Sequence, residues 1–410
     1  MKFTMKTTIK SLLLSALCLA SATFTSCSET DAEEDAGKTP VIEYVRVCEP
    51  KQSDSLLVAA NMGDRIAFIG HNLGDVQQVW FNDQKAKLNP AYVTSTSIIV
   101  DVPNVLSDPE NVTNQVRFIT GKGIEVTYDF KVIVPNPSII SISCEYCKAG
   151  DVLNIVGDYF IGTENDVKVI FPGSAGDIEV SPLSYSKTEM SVIVPEGVTE
   201  GYLKVKSMYG TSRYNHKYKD TTGLITSFDD GYLNPWGYPA AGVTDADGVD
   251  GLYMKFYCEN NGAWNWTDKL MWGYWASASK GNKPIATGDI TKLALKFECN
   301  IINWEDCPLL IWFQKYQEGG AISPDDNYAQ CHWKPYLTAS AEKVNAKTNG
   351  WVTVTIPLTE FKYNKDESAT DLTIGDISQY TDLNIQMFGD ADGNAPVEIW
   401  FDNFRIVPTE

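Results

Sequence analysis

The stretch from Asn260 to Ala276, NNGAWNWTDKLMWGYWA, gathers Trp264, Trp266, Trp272, Tyr274 and Trp275 within twelve residues, interrupted by Gly262 and Gly273. Such rings do no covalent chemistry by themselves; they offer a flat, wide contact surface that loses little conformational entropy on binding. In a loop-rich groove they suit flat, CH-rich partners such as the faces of sugar rings. Of the chain's 11 tryptophans only Trp80 precedes residue 221, and the other ten lie from Trp236 to Trp400. The aromatic chemistry therefore belongs to a C-terminal module, with Trp236, Trp264, Trp266, Tyr274, Trp275 and Trp333 as its candidate contact residues. Trp312, Trp351 and Trp400 fall inside apolar runs and read as core.

Carboxylate chemistry is the rival reading. A β-sandwich hydrolase needs two carboxyl groups roughly 5–10 Å apart across a groove, and a lyase needs a Tyr, His or Arg set. The chain has three histidines, His71, His216 and His332, and the acids around the aromatic stretch are Glu259, Asp268, Glu305 and Asp306. No spacing selects a pair among them, so a hydrolase or lyase, and equally a surface adhesin, stay open beside a binding module. Asp245, Asp247 and Asp250 flank Gly248, and Asp390 and Asp392 precede Gly393, as hard oxygen ligands around a calcium-holding turn would. Neither run carries the glutamate of an EF-hand at position twelve, and acidic turn geometry alone explains both, so no cofactor is required and structural calcium stands as a candidate. Cys144 and Cys147 form a C-x-x-C with no second pair at zinc-like spacing, which leaves incidental thiols or one local disulfide.

Short β-branched runs broken by Gly, Pro, Asn and Asp must position these residues, and they predict an all-β chain. Residues 40–135 and 136–220 read as two copies of one domain: Gly63 and Gly70 recur as Gly150 and Gly157, both 87 residues on, and VWF at 79–81 answers VIF at 169–171. The glycines are expected at positive-φ turns or bulges, and Trp80 is expected in the core. From residue 221 a third β-sandwich begins, its first and last strands, around ITSFDDG and VEIWFDNFRI, expected to pair as in a jelly roll. The charge of −20, from 33 basic and 53 acidic residues, disfavours nucleic acid and anionic surfaces but suits a neutral polysaccharide.

Lys2, Lys6 and Lys10 before the apolar run Leu12–Ala20 mark residues 1–26 as a secretory signal. Phe24-Thr25-Ser26-Cys27 resembles a bacterial lipobox, which implies lipidation at Cys27; Phe24 departs from the usual Leu. Residues 27–39 then read as an acidic, disordered tether carrying Glu29, Asp31, Glu33, Glu34 and Asp35, a run that resembles a surface-export signal of Gram-negative gut lipoproteins.

The two repeats resemble IPT/TIG immunoglobulin-like domains. With GWVTVTIPLTEF and IWFDNFRIV in the last module, the chain resembles the second, non-SusD-like surface glycan-binding protein of polysaccharide-utilisation systems, whose C-terminal module is a xyloglucan-binding domain. That resemblance implies a non-catalytic protein lipid-anchored in the outer membrane and facing the exterior. It would hold a β-glucan beside a SusD-like binder and an outer-membrane transporter. Tyr274-Trp275 matches the family's adjacent platform pair, and Trp236 is placed like its upstream tryptophan. Sandwich-type carbohydrate modules also often hold structural calcium.

Overall fold

The structure, a computed structural model, describes residues 27–49, 55–229, 248–258, 266–272, 283–315, 328–388 and 396–409, with the backbone alone at 27–29, 258, 266–272 and 388. It is an all-β chain of two Ig-like sandwiches followed by a C-terminal β-sandwich. By contacts it divides into two compact units, Met1–Pro135 and Asn136–Glu410. No helix among the described residues is long and apolar enough to cross a membrane.

In the first unit Arg65–His71 pairs with Val41–Val47 and Ser97–Asp101, while a four-stranded sheet runs Gln84–Lys85, Val76–Phe81, Gln115–Thr120, Glu125–Asp129. Alternation turns Phe68 from one sheet and Phe81 and Phe118 from the other into a common core, where Phe68 meets Phe118 edge-on at 4.9 Å. The same alternation turns Trp80 outward. Its ring lies between Arg117 and Lys85, at 5.4 and 5.7 Å from the centroid, so it carries cation–π contacts and is not a core residue.

The recurring glycines divide into two roles. Gly63 and Gly150 hold positive φ, 84° and 92°, in the turn before the central strand of each repeat. Gly70 and Gly157 lie inside that strand, where a Cβ would stand 1.9 Å from the carbonyl oxygen of Val41 and of Ser138 respectively. Both first strands bulge at this approach, between Ile42 and Tyr44 and between Ile139 and Ser141.

The acidic segment departs from the disordered tether expected of it. Cys27–Asp35 is an α-helix, and Asp35 is buried, accepting from the Gly74 amide at 3.0 Å and pairing with Lys38 at 3.3 Å. Gly74 has no room for a side chain, because a Cβ there would sit 2.4 Å from the Asp31 carbonyl. The negative charges that suggested a solvated chain are therefore divided: Asp35 docks the helix, while Glu33 and Glu34 stay exposed.

In the second unit the Ig-like repeat and the C-terminal module are joined by buried charge. Glu145, at 2% exposure, reaches from the loop after Ser138–Ile142 to Lys296 at 2.5 Å and Arg405 at 2.8 Å. Arg405 also holds Glu298 at 2.7 Å, and the Thr353 hydroxyl links Glu298 to the Glu145 amide. Burial would raise the Glu145 carboxyl, but Lys296 and Arg405 together bring it below its ordinary value. Glu298 is held above its ordinary value by burial despite Arg405. Trp351 packs edge-on to Tyr253 at 5.5 Å and against the apolar cluster of the repeat, so it belongs to this junction and not to the sandwich core. Cys144 and Cys147 beside the junction are buried free thiols.

The C-terminal sandwich pairs Val397–Pro408 with Leu293–Asn303, which in turn pairs with Val352–Pro357. Its first strand, Leu224–Thr226, does pair with this last strand, and Met254–Cys258 pairs farther along the same edge. The opposing sheet runs Trp266–Trp272, Asp382–Phe388, Leu309–Gln314, Gln330–Trp333. Between the sheets lie Phe297, Trp304, Ile311, Phe313, Ile385 and Phe401.

Candidate functional site

The aromatic stretch enters the opposing sheet as its edge strand. It forms backbone ladder over Trp266–Trp272, with Trp266 opposite Phe388, Asp268 opposite Gln386 and Met271 opposite Asn384. Trp236, Trp264, Tyr274 and Trp275 lie outside the described residues, as do Asp245, Asp247, Asp390, Asp392 and Glu259.

The strands beside it read LLIWFQ and DLNIQMF, with every second residue turned to the inner core: Leu309, Ile311 and Phe313, then Leu383, Ile385 and Met387. The remaining positions form the sheet's other face, where Leu310 pairs with Gln386, Trp312 with Asn384 and Gln314 with Asp382. Gln314 Oε1 accepts from the Trp312 indole and from Asn384 Nδ2, each at 3.4 Å, and Asn384 Oδ1 is buried without a hydrogen-bond partner. His332 on the next strand meets the Asn364 carbonyl at 3.0 Å and Glu367 at 2.8 Å, and burial lowers its pKa despite that carboxylate. Trp312 is 2% exposed and packs with Leu310 and Tyr328, so it offers no open ring face to a ligand. This polar layer lies on the sheet that carries the aromatic edge; the alternating Asp382, Asn384 and Gln386 of DLNIQMF were its signal in the sequence.

Trp333 is partly buried against the core. Its ring meets Phe297 at 5.2 Å and Trp304 at 5.1 Å, both edge-on, and it packs on the core from the strand Gln330–Trp333. Both rings come from the strand Leu293–Asn303 and the residue after it, in the opposing sheet, which local spacing does not reveal. Of the acids of the rival reading, two have structural partners: Asp306 caps the Cys307 amide at 2.9 Å and pairs with Lys343 at 2.8 Å, and Glu305 accepts from Asn345 at 2.7 Å. Among the described residues no three His, Cys, Asp or Glu side chains form a metal-binding group.

Residues 218–408 match the family described as surface glycan-binding protein B xyloglucan binding domain. An IPT/TIG domain-containing protein of Bacteroides ovatus is 34% identical over 229 residues, which cover 52% of this chain and 46% of that protein. The chain thus spans about half the length of its curated relative. The surface glycan-binding protein PbSGBP-B from Prevotella bryantii superposes over 91% of this chain and 100% of its own, with a TM-score of 0.75 at 26% identity. The matched residues 218–408 span the module that holds ten of the chain's tryptophans.

Proposed function

We propose that this chain is a non-catalytic, cell-surface glycan binder that holds a plant β-glucan, xyloglucan or mixed-linkage glucan, on the aromatic stretch of its last module. The observation that carries this reading is the match of residues 218–408 to a xyloglucan-binding domain, over the region where the tryptophans concentrate. Tyr274, Trp275 and Trp236 form the stacking platform, with Trp264 and Trp266 beside them. Cys27 carries the lipid that anchors the chain in the outer membrane, and the protein works beside a SusD-like binder and a transporter that imports the bound glycan.

Gel retardation in xyloglucan and in mixed-linkage glucan, with an assay for new reducing ends, tests the reading. Retardation without reducing ends supports it; reducing ends point to a hydrolase, a new unsaturated product to a lyase, and neither to an adhesin. Trp236→Ala and Trp275→Ala each abolish measurable binding with the fold intact by circular dichroism, since a stacked hot-spot ring contributes ~2 kcal/mol or more. Tyr274→Ala weakens it. Wild-type affinity in a folded Trp275→Ala protein overturns the platform assignment. Cys27→Ala releases the protein from the membrane fraction; retention there refutes the anchor.

A further inference from the structure

The last strand, Val397–Pro408, is paired along one edge by two short strands that do not meet. Thr226 stands opposite Phe404, and Met254 stands opposite Phe401. Asp402 and Asn403 fall in the gap between them. On its other edge the strand bulges at the same place, with Glu298 opposite Asp402 but Lys296 opposite Arg405, and Asn403 takes a left-handed φ of 50°.

Asp402 is fully buried there, at 0% exposure. One carboxylate oxygen accepts from the Asn403 amide at 2.7 Å, and the other, Oδ2, is buried with no hydrogen-bond partner. The charges that bear on it are those of Glu298, Asp229 and Asp250, all acids. Arg405, on the same strand, gives its two terminal nitrogens to Glu298 and Glu145, while its Nε and Asn403 Nδ2 are likewise buried without partners and make no bond to Asp402 Oδ2. A buried carboxylate oxygen surrounded by other acids and offered no donor is unfavourable unless a cation or a proton joins it.

The segment after Leu224–Thr226 brings a carboxylate, Asp229, whose charge bears on Asp402. Asp229 follows the strand Leu224–Thr226 and accepts from the Leu252 amide at 2.7 Å, which ties it to the turn at 248–251. That turn admits Asp229 because Gly251 has no side chain: a Cβ there would lie 2.1 Å from Asp229 Oδ1.

We propose that a calcium-class divalent cation occupies the gap, bound by Asp402, Asp229 and main-chain carbonyls of the turn, with Asp250 adding charge at its exposed rim. Two carboxylates completed by carbonyls and water suit a hard ion of flexible coordination. The ion substitutes for the missing ladder and fixes the ends of both short strands to the last strand. Its role is structural and does not depend on which glycan the module binds.

The test is thermal unfolding and calorimetric titration of the mature chain, stripped with EDTA and dialysed, against CaCl2 with MgCl2 as comparison. Calcium is expected to raise the midpoint of the second unit's transition saturably, by at least about 3 °C, and to give a binding isotherm. Asp402→Asn is expected to abolish both responses, and the exposed Asp229→Asn to weaken them, which keeps the test open if Asp402→Asn does not fold. The absence of both a midpoint shift and binding heat in the stripped wild type overturns the proposal. So does an Asp402→Asn protein that melts like the wild type in EDTA and still responds fully to calcium.

Discussion

The two Ig-like repeats share a strand plan but differ in how they join the rest of the chain. In the first, the ion pairs lie at the surface, as in Arg65–Asp101 at 2.7 Å and His71–Glu43 at 3.1 Å, each with both side chains well exposed. In the second, Glu145 is buried against Lys296 and Arg405 of the following module. That repeat also exposes the apolar side chains Ile140, Val152, Val156, Leu183 and Ile193. The second repeat therefore shares a charged junction with the sandwich that carries the aromatic stretch. A common strand plan can thus carry different placements of charge, and loop residues outside the shared plan, such as Glu145, decide which.

Removing the buried partner tests this difference most strongly. Glu145→Ala leaves Lys296 and Arg405 underpaired in a dry junction and is expected to destabilise the second unit by about 3–5 kcal/mol, measured by urea unfolding of the mature chain. Arg65→Ala, its surface counterpart, is expected to leave unfolding unchanged. For the same reason a protein begun at residue 221 should be less stable than one begun at residue 136, although both keep the whole aromatic module. Equal midpoints would mean that the junction is only a contact.

The shared plan itself predicts matched effects. Gly70→Ala and Gly157→Ala each force a Cβ to within 1.9 Å of a main-chain carbonyl, so each should destabilise its own unit by at least ~1–3 kcal/mol. A large effect in one repeat and none in the other would break the equivalence. Asp35→Ala should free the N-terminal helix of the first unit, losing about 1–3 kcal/mol of local stability because the buried Gly74 amide is left unpaired. Faster proteolysis between residues 27 and 39 with an unchanged global midpoint is the expected reading.

The smallest effect expected is one of pH. Burial, reinforced by Lys296, holds His216 of the second repeat below the usual 6.5. The unfolded chain therefore takes up this proton first, and stability that is complete above pH 6.5 is lost as pH falls below it. His216→Gln should flatten the acid side of the second unit's stability curve; an unchanged slope assigns the loss to other groups.

The sequence by itself determined the strand plan, because a period-2 pattern and the demands of turns are local. Gly63, Gly70, Gly150 and Gly157 marked the repeat before any coordinate did, and the concentration of tryptophans marked the module that matches a xyloglucan-binding domain. What alternation could not determine was the neighbour on each face. Trp80 lies in an apolar run yet turns outward to Arg117, while Trp333 packs partly buried on Phe297 and Trp304. Helix Cys27–Asp35 looked like solvated chain because its charge was visible and the Gly74 cradle, 39 residues away, was not. Glu145 and Arg405 are 260 residues apart, and Asp402 lies far along the chain from Asp229 and Asp250. Only the tertiary structure brought these charges together, because long-range charge partners leave no periodic trace in the chain; burial then turned ordinary surface residue types into a junction and a candidate cation site.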